Sequence, residues 1–98
     1  MLERDFQKNL IQELKERFPG CVVMKNDSSY IQGIPDLTVL YRDRWVVLEL
    51  KRASGSSRRP NQSFYVEKLN EMSYAAYIHP GNKEQVLDEV QRSFRTGR

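Results

Sequence analysis

Leu37-Thr38-Val39-Leu40-Tyr41, then a polar turn Arg42-Asp43-Arg44, then Trp45-Val46-Val47-Leu48: this stretch decides how the chain folds. Two β-rich runs joined by a short polar loop are the sequence signal of a β-hairpin. Gly33-Ile34-Pro35-Asp36 leads into the first run and Glu49-Leu50-Lys51 closes the second, with twelve residues between Asp36 and Glu49. Folding the hairpin therefore carries both acids to the same open end. Side chains alternate along a strand, so Glu49 and Lys51 face one way while Val46, Leu48 and Leu50 face the other. The apolar set can be buried, which leaves acid and lysine on a shared polar face. With an even hairpin loop Asp36 faces the same way; with an odd loop it needs a bulge or bend, which Gly33 and Pro35 can supply.

Two carboxylates brought close repel unless something compensates their charge. With the Leu50 backbone carbonyl at the strand end, Asp36 and Glu49 make an oxygen cage suited to Mg²⁺ or Mn²⁺ and poorly suited to zinc. A cation held there polarises a phosphate and acidifies a bound water. Lys51 orients that water or neutralises charge that builds on the phosphate.

Pro35-Asp36, a twelve-residue spacer and Glu49-Leu50-Lys51 resemble the motif of the PD-(D/E)xK nuclease superfamily. The form Gly33-Ile34-Pro35-Asp36-Leu37, with Glu-Leu-Lys for the second half and a downstream Gln62 opening a helix, is similar to the VRR-NUC family within it. The resemblance implies a restriction-endonuclease-like core and a metal-dependent endonuclease acting on DNA, with Asp36, Glu49 and Lys51 as its catalytic centre. It also implies that an acid of the first helix assists the metal, for which Glu3 is the matching position, and that Gln62 orients Lys51 or a metal-bound water. Relatives tend to begin that helix with a serine cap, where this chain has Arg59. Stand-alone relatives are often phage-encoded and resemble junction resolvases, which implies a homodimer cutting branched DNA such as a Holliday junction.

The 98 residues, 39% hydrophobic and 30% charged, make one domain over 1–98 with a modest core. No apolar run is long enough for a membrane span, and a charged N-terminus gives no sign of a secretion signal. Cys21 is the single cysteine, so no intrachain disulfide forms and a reducing, intracellular setting is expected; the resemblance implies the cytoplasm of a bacterial or phage-infected cell. Net charge is +3, and Lys51, Arg52, Arg58 and Arg59 fall within nine residues that contain no acid. Such a cluster suits a polyanionic partner.

In chain order, Leu2, Phe6, Leu10, Leu14 and Phe18 recur at four-residue steps, widened by Ile11 and stopped by Pro19-Gly20, which predicts an amphipathic helix over 2–18. Cys21 to Lys25 is a first strand, followed by the polar segment Asn26 to Tyr30; Lys25 and Tyr30 are candidate phosphate or base contacts. Gly33 marks a positive φ or a close backbone approach before the rigid Pro35. Arg52 to Arg59 is a small, basic loop, and a second helix runs from Pro60 to about Met72. Tyr74 to His79 is the last strand, with His79 read as structural. Asn82 and Gln85 resemble a capping box for a final helix with Val86, Leu87, Val90 and Phe94 on its apolar face.

The expected fold is therefore α/β, a mixed central sheet flanked by helices in the order αβββαβα, with a parallel crossover through the second helix. Trp45, Tyr65, Tyr74, Tyr77 and Phe94 are more aromatic surface than so small a core buries, which suggests interface anchors. The alternative function is a catalytically silent basic module whose Lys51, Arg52, Arg58 and Arg59 contact phosphates.

Overall fold

The computed structural model describes residues 2–52 and 62–96. Its elements are α1 (Glu3–Arg17), β1 (Val22–Lys25), β2 (Leu37–Tyr41), β3 (Arg44–Leu50), α2 (Gln62–Met72), β4 (Tyr74–Ile78) and α3 (Lys83–Thr96). The sheet order is β1-β2-β3-β4. The first two pairings are antiparallel and β3 with β4 is parallel, so the sheet is mixed and α2 lies in the parallel crossover. No described helix is long and apolar enough to cross a membrane.

The central hairpin closes tightly, with Tyr41 opposite Arg44 and two residues, Arg42 and Asp43, in the turn. Arg42 takes φ 59°, the left-handed backbone that two-residue hairpin turns demand at their first position. The loop is even, which settles the direction of Asp36. Leu37, the first residue of β2, pairs with Leu48; carried one residue further, the same register would set Asp36, in the bend that enters β2, across from Glu49.

Strand alternation divides the core between the two sheet faces. On one, Leu37, Val39, Val46, Leu48, Leu50 and Ile78 meet Phe6, Leu10, Leu14 and Phe18 from α1 and its end, and Val86, Leu87, Val90 and Phe94 from α3. Each such fully buried aliphatic side chain contributes about 1.5–3 kcal/mol, so this face supplies most of the stability. Leu2, expected to begin the α1 stripe, is 52% exposed; the buried stripe starts at Phe6. On the other face Val47, Val66 and Ala75 form a smaller cluster, with Trp45, Leu69 and Tyr77 packed against it. Here α2 covers β3 and β4, while Val22, Met24 and Leu40 on β1 and β2 stay exposed.

The expected aromatic surplus is corrected. Phe94 is buried, edge-on to Phe18 at 5.0 Å and tilted against Tyr41 at 5.2 Å. Trp45, Tyr65, Tyr74 and Tyr77 are half-buried, and the exposed aromatics are Tyr30 and Phe64. Burial, then the hydrogen bond it gives Glu89, pushes the Tyr74 phenol well above its usual range.

Cys21 is half-buried with its thiol toward the Leu14 carbonyl, and burial pushes that thiol up, as suits a small packing residue. His79 is structural too: its Nδ1 accepts from the Gly81 N–H at 3.0 Å, and a Cβ at Gly81 would meet the ring at 2.9 Å. Asn82 does not use its side chain as the forward cap of α3. Its Oδ1 accepts from the His79 N–H and its Nδ2 donates to the Tyr77 carbonyl, so it ties the helix start back to β4.

Candidate active site

The end of the hairpin away from its turn is where the sequence places Asp36, Glu49 and Lys51, and the structure brings all three together. Asp36 is half-buried, and its Oδ2 accepts a hydrogen bond from the Leu50 N–H at 2.9 Å. Glu49, 1% exposed, has Lys51 Nζ 3.6 Å from its Oε2. The alternation that puts residues 49 and 51 on one side of β3 makes that ion pair possible.

The Leu50 carbonyl falls on the same side as Asp36 for a reason of peptide geometry. Lys51 N–H donates to the Ile78 carbonyl on β4 at 2.9 Å, and the peptide joining Leu50 to Lys51 is trans. In a trans peptide the carbonyl points opposite to the N–H, so Leu50 C=O points away from β4, toward β2 and Asp36. The Asp36 carboxylate and the Leu50 carbonyl thus lie on the β2 side of the end of β3, next in the chain to the buried Glu49 carboxylate. All are hard oxygen donors, and that donor set fits Mg²⁺ or Mn²⁺.

One expectation about this site is overturned. Glu49 and Lys51 do not stand on a solvent-facing polar face, because Trp45 and Val47 precede them on the same face of β3 and α2 packs over it. The pair closes an apolar wall. A carboxylate this buried is tolerated because a cation sits beside it.

Asn26, singled out for no role by its sequence position, holds the start of β2. Its N–H donates to the Asp36 carbonyl at 2.8 Å. Its Nδ2 donates to the Pro35 carbonyl and to Thr38 Oγ1, both at 2.9 Å, and its Oδ1 accepts from Thr38 at 3.1 Å. These bonds fix the backbone on both sides of Asp36. The signal that could have revealed it is an amide residue directly after the strand that pairs with β2. Gly33 takes φ 88°, the positive φ expected before Pro35, and is buried.

The outlying candidates are distributed differently. Glu3 is exposed in the first turn of α1, whose buried side chains pack on the face opposite Glu49. Among the described residues no three His, Cys, Asp or Glu side chains converge, so Glu3 is not gathered to the acid pair. Lys25 is opposite Leu37 and so shares that residue's face, not the face of Asp36. Tyr30, 83% exposed, borders a cleft on the Asp36 side of the sheet. Arg52 is exposed just beyond Lys51. Gln62 is the first residue of α2, but its side chain, like Arg58, Arg59 and the expected helix start at Pro60, lies outside the described residues.

Comparison of the chain with family models, with curated proteins and with solved structures finds no match in any of the three.

Proposed function

We propose that the chain is a metal-dependent DNA endonuclease of the VRR-NUC type, with a restriction-endonuclease-like core, that hydrolyses phosphodiester bonds. The observation that carries this reading is the convergence of Asp36, Glu49, Lys51 and the Leu50 carbonyl at one strand end. A divalent cation bound there supplies Lewis-acid activation of a phosphate and a more acidic water. The chain's own residues do the positioning. The Leu50 N–H fixes the Asp36 carboxylate, β3 carries Glu49, and Glu49 holds the Lys51 ammonium where negative charge would develop on the phosphate. Arg52, with Arg58 and Arg59, supplies the cationic approach for the DNA backbone.

Branched DNA, such as a four-way junction, is the proposed substrate, and a two-fold homodimer the proposed acting form. In place of the aromatic anchors, the exposed row Val22, Met24 and Leu40 beside the edge strand β1 supports pairing. The ion pair from Lys51 to Glu49 gives the silent-module reading its one support, since Lys51 already compensates the buried acid. Incubation of the purified chain with a labelled four-way junction, with Mn²⁺, with Mg²⁺ and with EDTA, separates the two. Endonuclease activity predicts symmetric incisions with either metal and none in EDTA; binding without incision under every condition favours the silent module.

A further inference from the structure

A cleft of about 360 Å³ opens on the sheet face that carries Asp36 and Glu49, between the 26–34 segment and α2. Its walls include Tyr30, Ile31, Ile34, Trp45 and Leu69, and its floor includes Thr38 and Val47. The volume stands at the small end of the range of about 300–1,000 Å³ found for ligand pockets. It has room for one planar ring system and not for a duplex.

Its position relative to the acid pair is set by strand geometry. Thr38 and Val47 are directly opposite each other, two residues along from Asp36 and Glu49 on the same face. At about 3.3 Å per residue the backbone under the floor of the cleft is about 7 Å from that of the two acids, with the Asp36 carboxylate turned toward the Leu50 N–H. That is comparable to the reach from a phosphate to the base of its own nucleotide.

The chemistry of the lining selects a base over a phosphate. Among the described residues Asp27 is the charged one of the lining, and hydrogen bonds from the Ser29 hydroxyl and amide hold its carboxyl below the usual carboxylate range. An anion is repelled there, whereas an uncharged aromatic ring finds aromatic and aliphatic walls. The Asn26 amide and the Thr38 hydroxyl are bonded to each other, so the lining favours stacking over the reading of base edges.

We infer that this cleft receives one unstacked nucleobase adjacent to the phosphodiester held at Asp36 and Glu49, with little preference among bases. The inference rests on the nuclease reading and sharpens its substrate class to DNA in which a nucleotide can leave the stack, as at a branch point or a bulge. A base inside a paired stack cannot reach the cleft without the cost of unstacking it.

Trp45 is the only tryptophan of the chain, so its fluorescence reports occupancy of the cleft. The full-length Asp36→Asn protein is titrated with three hairpin duplexes: one with a single bulged thymidine, one with an abasic bulge, and one fully paired. Quenching by the thymidine bulge alone is expected. Tyr30→Ala, at a site too exposed to affect folding, should weaken thymidine-bulge binding by about 5- to 100-fold, the range for loss of one stacked base, and leave the paired duplex unchanged. Equal quenching by the abasic bulge, or equal weakening of all three duplexes by Tyr30→Ala, overturns the inference. Cleavage of the same duplexes by the unsubstituted protein with Mn²⁺ tells the two failures apart. Equal cutting of all three removes the base site and keeps the nuclease, while thymidine-specific quenching without cutting keeps the base site and removes the nuclease.

Discussion

The Asp36 carboxylate is held by the Leu50 N–H at 2.9 Å, so an acid that precedes β2 is fixed by the backbone of the strand that bears the other acid. Asparagine keeps a side-chain oxygen able to accept that hydrogen bond, whereas alanine does not. Asp36→Asn should therefore abolish metal-dependent cleavage with little change in the urea midpoint, and should keep or tighten DNA binding because a negative charge has left the cleft. Asp36→Ala should abolish cleavage and also lose about 1–3 kcal/mol of stability. Undiminished cleavage by either variant would remove Asp36 from the mechanism.

Among the described residues Lys51 is the cation within 4 Å of a carboxylate that is 1% exposed. Removing one partner of a buried ion pair costs about 3–5 kcal/mol because the other charge is left uncompensated. Lys51→Met should show a loss of that order in urea denaturation, and adding Glu49→Gln should recover most of it. Turnover of Lys51→Met should fall by about 10²-fold or more if the ammonium stabilises transition-state charge. Single variants whose effects simply add would show that the pair is not energetically coupled.

That both acids lie at one end is legible in the sequence, because any hairpin over this stretch brings its open ends together; the parity is not, because Arg42-Asp43-Arg44 reads as a three-residue turn and only the pairing of Tyr41 with Arg44 makes the loop even. The burial of Glu49 was not read, although a signal existed: Trp45 and Val47 share its face and mark that face as apolar. Lys25 reads as a site residue because it ends a strand beside the polar segment that leads to Gly33, yet its face depends on the pairing of β1 with β2, which the intervening segment does not dictate. Asn26 escaped notice for the same reason, since its bonds to Pro35 and Thr38 exist only in that register. The helix pattern places Phe94 on the apolar face of α3, where it is indeed buried against Phe18 and Tyr41; counting it among surplus aromatics overlooks that these three rings pack on one another.

A pH-dependent ion pair links α1 to α3. Lys83 Nζ donates to Glu13 Oε1 at 2.8 Å, and this hydrogen bond raises the lysine above its usual 10.5. A folded-state value above the unfolded one means that the stabilisation is complete below pH 10.5 and is lost as pH rises through the folded value. Both side chains are about a third exposed, which limits the pair to about 0.2–1 kcal/mol. Lys83→Met should melt slightly earlier than the unsubstituted chain at pH 7, with the gap closing above pH 10.5. A gap that persists in strong base would assign the effect to packing.

Homodimer formation is testable through the exposed row on β1. Val22 is 52% exposed and Met24 42%, so Val22→Glu and Met24→Glu leave the buried core intact. Sedimentation velocity at micromolar concentration should show a dimer for the unsubstituted chain and a monomer for the double variant, with symmetric junction incision reduced to single nicks. A monomeric unsubstituted chain would contradict pairing.

The central claim, that Asp36, Glu49 and the Leu50 carbonyl form a divalent-cation site, is tested most directly by crystals of the full chain soaked in Mn²⁺. The account predicts an anomalous difference peak between the two carboxylates, within coordination distance of the Leu50 carbonyl, that is lost in crystals of Asp36→Asn. Well-ordered carboxylates with no anomalous peak between them at millimolar Mn²⁺ would contradict it.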